Sequence, residues 1–166
     1  LRLTTDSGVF SHGSVDEGTA LLLNSLPALS GRVLDLGCGA GVIGVCVGKA
    51  YPITLTQSDV NLRALALTRE NLRRNGVNGE VIESDGFSAL EGLFDVILTN
   101  PPIRAGKAVI YRLFQEARDH LTDSGVLYLV IRKQQGAESA KKHLETLFST
   151  VELLKRKKGY WIRSEE

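Results

Sequence analysis

The sequence contains no methionine, not even at position 1, and only two cysteines among 166 residues. The missing initiator predicts a chain whose start has been trimmed, as in an excised part of a longer protein. Cys38 and Cys46 match neither a disulfide framework nor a zinc site, and reduced thiols are expected. Long apolar runs are absent: those around Val42 to Gly48 and Val126 to Ile131 fall far short of the roughly 18 residues that span a bilayer. Leu1-Arg2-Leu3 opens no secretory pattern, so a cytoplasmic protein without membrane contact is expected. Internal repeats, low-complexity segments and linkers are lacking as well. At about 150 residues per domain, the length predicts one domain, 1–166, that buries roughly 70% of its unfolded surface. Hydrophobic residues at 43% and charged residues at 23% exclude intrinsic disorder.

The net charge of +1 hides an asymmetry, because residues 104–163 hold 13 basic side chains against 6 acidic ones. Such an excess suits a polyanion, and it equally suits the solvated faces of ordinary helices.

Short apolar runs alternate with stretches of helical period, the pattern of βαβ units around a parallel sheet. Strands are predicted at Arg32 to Leu36, Ile53 to Gln57, Glu80 to Ile82, Phe94 to Thr99 and Val126 to Ile131. Helices are predicted near Val42 to Ala50, from an Asn61 cap to Asn75-Gly76, over Lys107 to Leu121, and near Ala137 to Leu147. Asp123-Ser124-Gly125 reads as a turn between helix and strand. Val151 to Leu154 and Tyr160 to Arg163 are separated only by Lys155-Arg156-Lys157-Lys158-Gly159, too short for a crossover helix, so an antiparallel hairpin is expected. Its basic tip reads as a phosphate contact or as a soluble turn.

Val33-Leu34-Asp35-Leu36-Gly37-Cys38-Gly39-Ala40-Gly41 is a strand running into a glycine turn and then a helix, where small residues let backbone N–H groups approach a ligand. Gly39 to Gly44 also matches the dinucleotide pattern G-x-G-x-x-G. Asp35 argues against it: an acid beside the turn repels pyrophosphate and favours the ammonium and sulfonium of S-adenosylmethionine. Asp59 ends the second strand, placed to take both ribose hydroxyls or to cap the helix from Asn61. In Ser84-Asp85-Gly86-Phe87, Asp85 is placed to accept from an adenine amino group, with Phe87 or Val60 against the ring; Asp-Gly is also an ordinary turn.

Asn100-Pro101-Pro102-Ile103 closes the fourth strand. An exocyclic amine has a delocalised lone pair and is a poor nucleophile. The Asn100 side-chain oxygen and the Pro101 carbonyl supply two acceptors that hold its hydrogens and aim its nitrogen, a task of orientation more than of base strength. His12, His120 and His143 form no cluster, and Cys38 has no basic neighbour to make it a nucleophile.

Together with Gly8-Val9-Phe10-Ser11, Asp16-Glu17-Gly18-Thr19 and Arg132-Lys133-Gln134-Gln135-Gly136, these motifs resemble class I methyltransferases of the small-domain type. Within them the chain is similar to the ribosomal small-subunit RNA guanine-N2 methyltransferases and their single-domain bacterial relatives, over nearly its whole length. The resemblance implies a Rossmann-like α/β fold, a mostly parallel seven-stranded sheet ending in an antiparallel C-terminal hairpin. Residues 1–30 would form an N-terminal segment and helix over the cofactor site, and 31–166 the core. It implies S-adenosylmethionine as cofactor, held by Asp35, Gly37, Gly39, Gly41 and Asp59, and the residues themselves add Val60, Asp85 and Phe87 as candidates. Asn100, Pro101, Pro102 and Ile103 are expected to form the catalytic segment, with Asn100 and Pro101 implied to hold the target amine; no metal is expected, and RNA is the implied partner. Ile103 stands where many relatives carry an aromatic that stacks the target base, which leaves Phe10 or Tyr111 for that platform. Protein glutamine-N5 methylation and a catalytically silent RNA-binding copy are the competing readings.

Overall fold

The computed structural model describes residues 17–101, 103–132, 136–157 and 160–165. Helix α1 (Glu17–Ser25) leads into β1 (Gly31–Leu36), α2 (Val42–Ala50), β2 (Ile53–Asp59), α3 (Leu62–Asn75), β3 (Glu80–Glu83) and β4 (Phe94–Thr99). There follow α4 (Lys107–Asp119), β5 (Leu121–Arg132), α5 (Ala137–Leu147), β6 (Val151–Lys157) and β7 (Tyr160–Glu165). The fold is Rossmann-like, with a mostly parallel sheet in the order β3, β2, β1, β4, β5, β7, β6. Strands β1 to β5 pair in parallel, and β7 lies antiparallel to both β5 and β6.

Central strands covered on both faces read as largely apolar runs, and in β4 Phe94, Ile97 and Leu98 are fully buried while Asp95 near its start accepts from the Arg32 N–H. Alternate residues serve opposite faces. Leu34, Ile97 and Leu129 pack with Phe114 of α4 and Leu144 of α5, whereas Val33, Leu98 and Val130 pack with Leu22 of α1 and Val47 of α2. Truncating Phe94, which also carries the Arg32 guanidinium 4.2 Å above its ring, would cost about 3–5 kcal/mol. Helix α3 is bounded as its sequence demands. The Asn61 side chain accepts from the Arg63 and Ala64 N–H groups, and Gly76 closes the helix at φ 63 in the left-handed region. Among the described residues, no helix is long and apolar enough to cross a membrane.

Two expectations are corrected here. Asp123-Ser124-Gly125 is not a turn ahead of a strand but part of β5, where the register jumps from Phe94↔Leu121 to Val96↔Val126. The extra residues bulge out of the ladder, so α4 ends at Asp119 rather than Leu121. Lys155, Arg156 and Lys157 belong to β6, an edge strand of the sheet, and not to a hairpin tip. Lys158 lies outside the described residues, as do Gly8 to His12.

Candidate active site

The strand order turns at β1 and β4. Their carboxyl ends lie side by side, Leu36 opposite Thr99, and the Thr99 hydroxyl fastens them by donating to the Leu36 carbonyl at 3.0 Å. From β1 the chain passes to α2 on one face, from β4 to α4 on the other. Such a switch point opens a crevice for ligand, and the glycine turn after β1 and Asn100 after β4 both depart from it.

The glycine turn starts where the Cys38 N–H donates to the Ser58 carbonyl at 2.8 Å. Gly37, Gly39 and Gly41 all have left-handed φ, at 66, 56 and 85. At Gly41 a Cβ would come within 2.9 Å of the Thr68 side chain, whereas at Gly37 it would meet nothing within 4 Å. Gly41 is therefore small because the protein packs against it, and Gly37 faces open space.

Asp35 lies beneath this turn and is only 1% exposed. Its Oδ2 accepts from the Gly44 N–H at 2.9 Å and from Gln57 Nε2 at 2.8 Å, capping the first turn of α2 from below. Its Oδ1 is buried without a partner among the described residues. Burial pushes the Asp35 carboxyl up to about 6 against the pull of those two hydrogen bonds, with the nearby Asp59 charge adding to the rise. Burial, then the Asp35 charge, also pushes the Cys38 thiol well above its ordinary range, which keeps it protonated and unreactive.

Asp59 ties the turn to α3: its Oδ2 accepts from the Gly39 N–H and its Oδ1 from the Asn61 N–H, both at 2.9 Å. Beside it Val60 is 62% exposed. Asp85 is exposed and accepts from the Arg112 guanidinium at 3.0 Å, which joins the loop after β3 to α4. Phe87 corrects its assignment against an adenine ring. It is a core residue, 4% exposed and stacked on His120 with centroids 4.5 Å apart, so of the expected pair only Val60 presents an apolar surface.

Asn100 follows β4 directly, and its Nδ2 makes a long contact of 3.5 Å with Thr19 Oγ1 on α1. Helix α1 thus reaches the site, which gives the motif around Thr19 a place in it. Pro101 is buried, Pro102 lies outside the described residues, and Ile103 opens a short 3-10 turn that ends at Ala105. Tyr111 is no free platform for a base: its ring stacks on His143 with centroids 4.1 Å apart and planes within 7°, committed between α4 and α5.

Gln57, Thr68 and Asn71, all fully buried, escaped the reading of the sequence. A signal was there: Thr68, Asn71 and Asn75 recur on the buried stripe of α3, polar where a core helix should be apolar. Among the described residues, no group of three or more histidine, cysteine or acidic side chains is placed to hold a metal ion.

The model of the methyltransferase small domain family matches residues 1–164. The chain is 46% identical over 165 residues to the uncharacterized protein YbxB of Bacillus subtilis (strain 168), covering 96% of this chain and 82% of that protein. It is 44% identical over 136 residues to the ribosomal RNA small subunit methyltransferase C of Pseudomonas entomophila (strain L48), covering 78% of this chain but 41% of the relative. Among solved structures it resembles the T. thermophilus 16S rRNA N2 G1207 methyltransferase in complex with AdoMet and guanosine. There the TM-score is 0.87 at 28% identity, over 96% of this chain and 45% of the other. The chain therefore spans less than half the length of these ribosomal RNA methyltransferases. Switch-point crevice, glycine turn, strand-end acid and family match agree: the chain belongs to the methyltransferase small domain family, S-adenosylmethionine-dependent methyltransferases of the Rossmann-like class.

Proposed function

We propose that the chain methylates an exocyclic amine in RNA, guanine N2 of small-subunit ribosomal RNA. The observation that carries this reading is the position of Asn100 at the end of β4, next to the end of β1 from which the glycine turn departs.

The residues around the turn suit the cofactor. Gly37 leaves open the space that a side chain would fill, and the unpartnered Oδ1 of Asp35 suits a cationic amino group. Asp59, half-exposed, has lone pairs left for ribose hydroxyls beyond the two N–H groups it holds. Val60 offers the adenine an apolar face, and Asp85 its carboxylate. When bound, S-adenosylmethionine supplies an electrophilic methyl group on a sulfonium.

On the substrate side the Asn100 amide keeps its nitrogen end toward Thr19, so its oxygen is the end available to accept from the amine. With the Pro101 carbonyl it fixes both amine hydrogens, which sets the nitrogen in line and stabilises the charge that develops on it. Arg104 and Lys107, exposed just beyond the catalytic segment, are placed for backbone phosphates. The ribosomal RNA methyltransferase relatives support an RNA target over a protein glutamine.

The test is mass spectrometry of nucleosides from undermethylated small ribosomal subunits, before and after treatment with this protein and S-adenosylmethionine. N2-methylguanosine should appear; methylated glutamine in a protein, with RNA unchanged, would overturn the assignment.

A further inference from the structure

Three consecutive carbonyls of the glycine turn are each taken by a different buried side chain. Thr68 Oγ1 donates to the Gly39 carbonyl at 2.8 Å, Asn71 Nδ2 to the Ala40 carbonyl at 2.7 Å, and Gln57 Nε2 to the Gly41 carbonyl at 3.1 Å. All three donors are completely buried. Two come from α3 and one from β2, so the contacts are built by the tertiary fold and not by the turn itself.

We propose that Gln57, Thr68 and Asn71 form a carbonyl clamp that positions the glycine turn for the cofactor. The described peptide bonds are trans, so a carbonyl drawn into the protein turns the N–H of the next residue the opposite way. The clamp thereby orients the N–H groups of Ala40, Gly41 and Val42. Gly41 spends its own on the Cys38 carbonyl. Those of Ala40 and Val42 have no partner among the described residues and are left for an anionic group of the ligand, the methionine carboxylate.

The same side chains reach the rest of the site. Gln57 holds Asp35 as well as Gly41, and Asp59 joins the Gly39 N–H to the start of the helix that carries Thr68 and Asn71. Turn, ribose acid and α3 are one hydrogen-bonded unit, so the turn is ordered before ligand arrives and no ordering cost falls on binding. None of the three residues is assigned to touch the cofactor; they are positioning residues, and the inference rests on the cofactor reading above.

Thr68→Val keeps the side-chain volume and removes the donor, whereas Thr68→Ser keeps the donor and removes a methyl group. Two readouts separate the roles: hydrogen exchange of the amides of residues 38–44 without ligand, and calorimetric affinity for S-adenosylhomocysteine. Thr68→Val should speed exchange in the turn and weaken affinity by about tenfold each, the scale of one lost hydrogen bond, while Thr68→Ser stays near wild type. Asn71→Leu should repeat the valine result and serves if Thr68→Val does not fold. Exchange and affinity unchanged in the folded donor-less variants, or Thr68→Ser worse than Thr68→Val, would overturn the clamp and leave a packing role. Faster exchange in the turn with a wild type that binds no S-adenosylhomocysteine would overturn the cofactor reading that the clamp serves.

Discussion

Gln57 donates to Asp35 Oδ2 at 2.8 Å, and the two residues are register partners on neighbouring parallel strands. The pair explains how an acid persists in the centre of the sheet: one oxygen is satisfied by Gln57 and the Gly44 N–H, and the other has no partner among the described residues. An uncompensated buried charge is costly, and the cost depends on pH.

Burial raises Asp35 from 3.8 to about 6, so the folded chain holds this proton more tightly than the unfolded chain does. The associated stability is complete below the lower value and is lost as pH rises through the higher one, an interval worth roughly 3 kcal/mol. Asp35→Asn cannot ionise and escapes that loss. Its melting temperature relative to wild type, both without ligand, should therefore climb from pH 4 to pH 7. A difference that stays flat contradicts the buried charge.

The same substitution should damage binding. If the ionised Oδ1 meets the cationic amino group, Asp35→Asn loses affinity for S-adenosylmethionine at pH 7 even where it gains stability. Wild-type affinity should fall as pH drops below about 6, where Asp35 takes up its proton. Calorimetry at pH 7 and pH 5 measures both effects, and equal affinity at the two values would remove Asp35 from the cofactor site.

Asp59→Ala should weaken S-adenosylmethionine binding by about 1.5–3 kcal/mol, the scale of hydrogen bonds to a charged group. The Gly39 and Asn61 N–H groups lose their acceptor as well, so part of the loss comes from the turn. Titration calorimetry reads it directly, and unchanged affinity would leave Asp59 with its capping role alone.

Arg104 and Lys107 are exposed a few residues beyond Asn100 and Pro101. If each neutralises one phosphate, replacing both with glutamate should flatten the log-log salt dependence of RNA affinity by about 1.4–1.8, at roughly 0.7 per contact on single strands and 0.9 on duplex. Cofactor affinity should be untouched. An unaltered slope would place the RNA elsewhere on the surface.

Much of this architecture was legible because buried parallel strands read as apolar runs. The bounds read for Val42–Ala50, Phe94–Thr99 and Ala137–Leu147 are those of α2, β4 and α5. Asp123-Ser124-Gly125 misled because a bulge and a turn draw on the same residue types. Phe87 misled because one aromatic in a loop suits a ligand wall and a core equally well, and only its stack on His120 decides. The donors to the glycine turn were hidden for another reason: they reach it from 16, 29 and 31 residues away, a distance at which no local pattern pairs a side chain with a carbonyl.

The central claim is that Asn100 orients an RNA amine for methyl transfer, and one measurement addresses it most directly. Single-turnover methylation of undermethylated small ribosomal subunits compares wild type with Asn100→Ala, with S-adenosylmethionine affinity measured alongside. The account predicts N2-methylguanosine with the wild type and a transfer rate lower by about 10²–10³ in the variant, the range for losing one preorganised hydrogen bond, at unchanged cofactor affinity. Near-normal transfer by Asn100→Ala would contradict it.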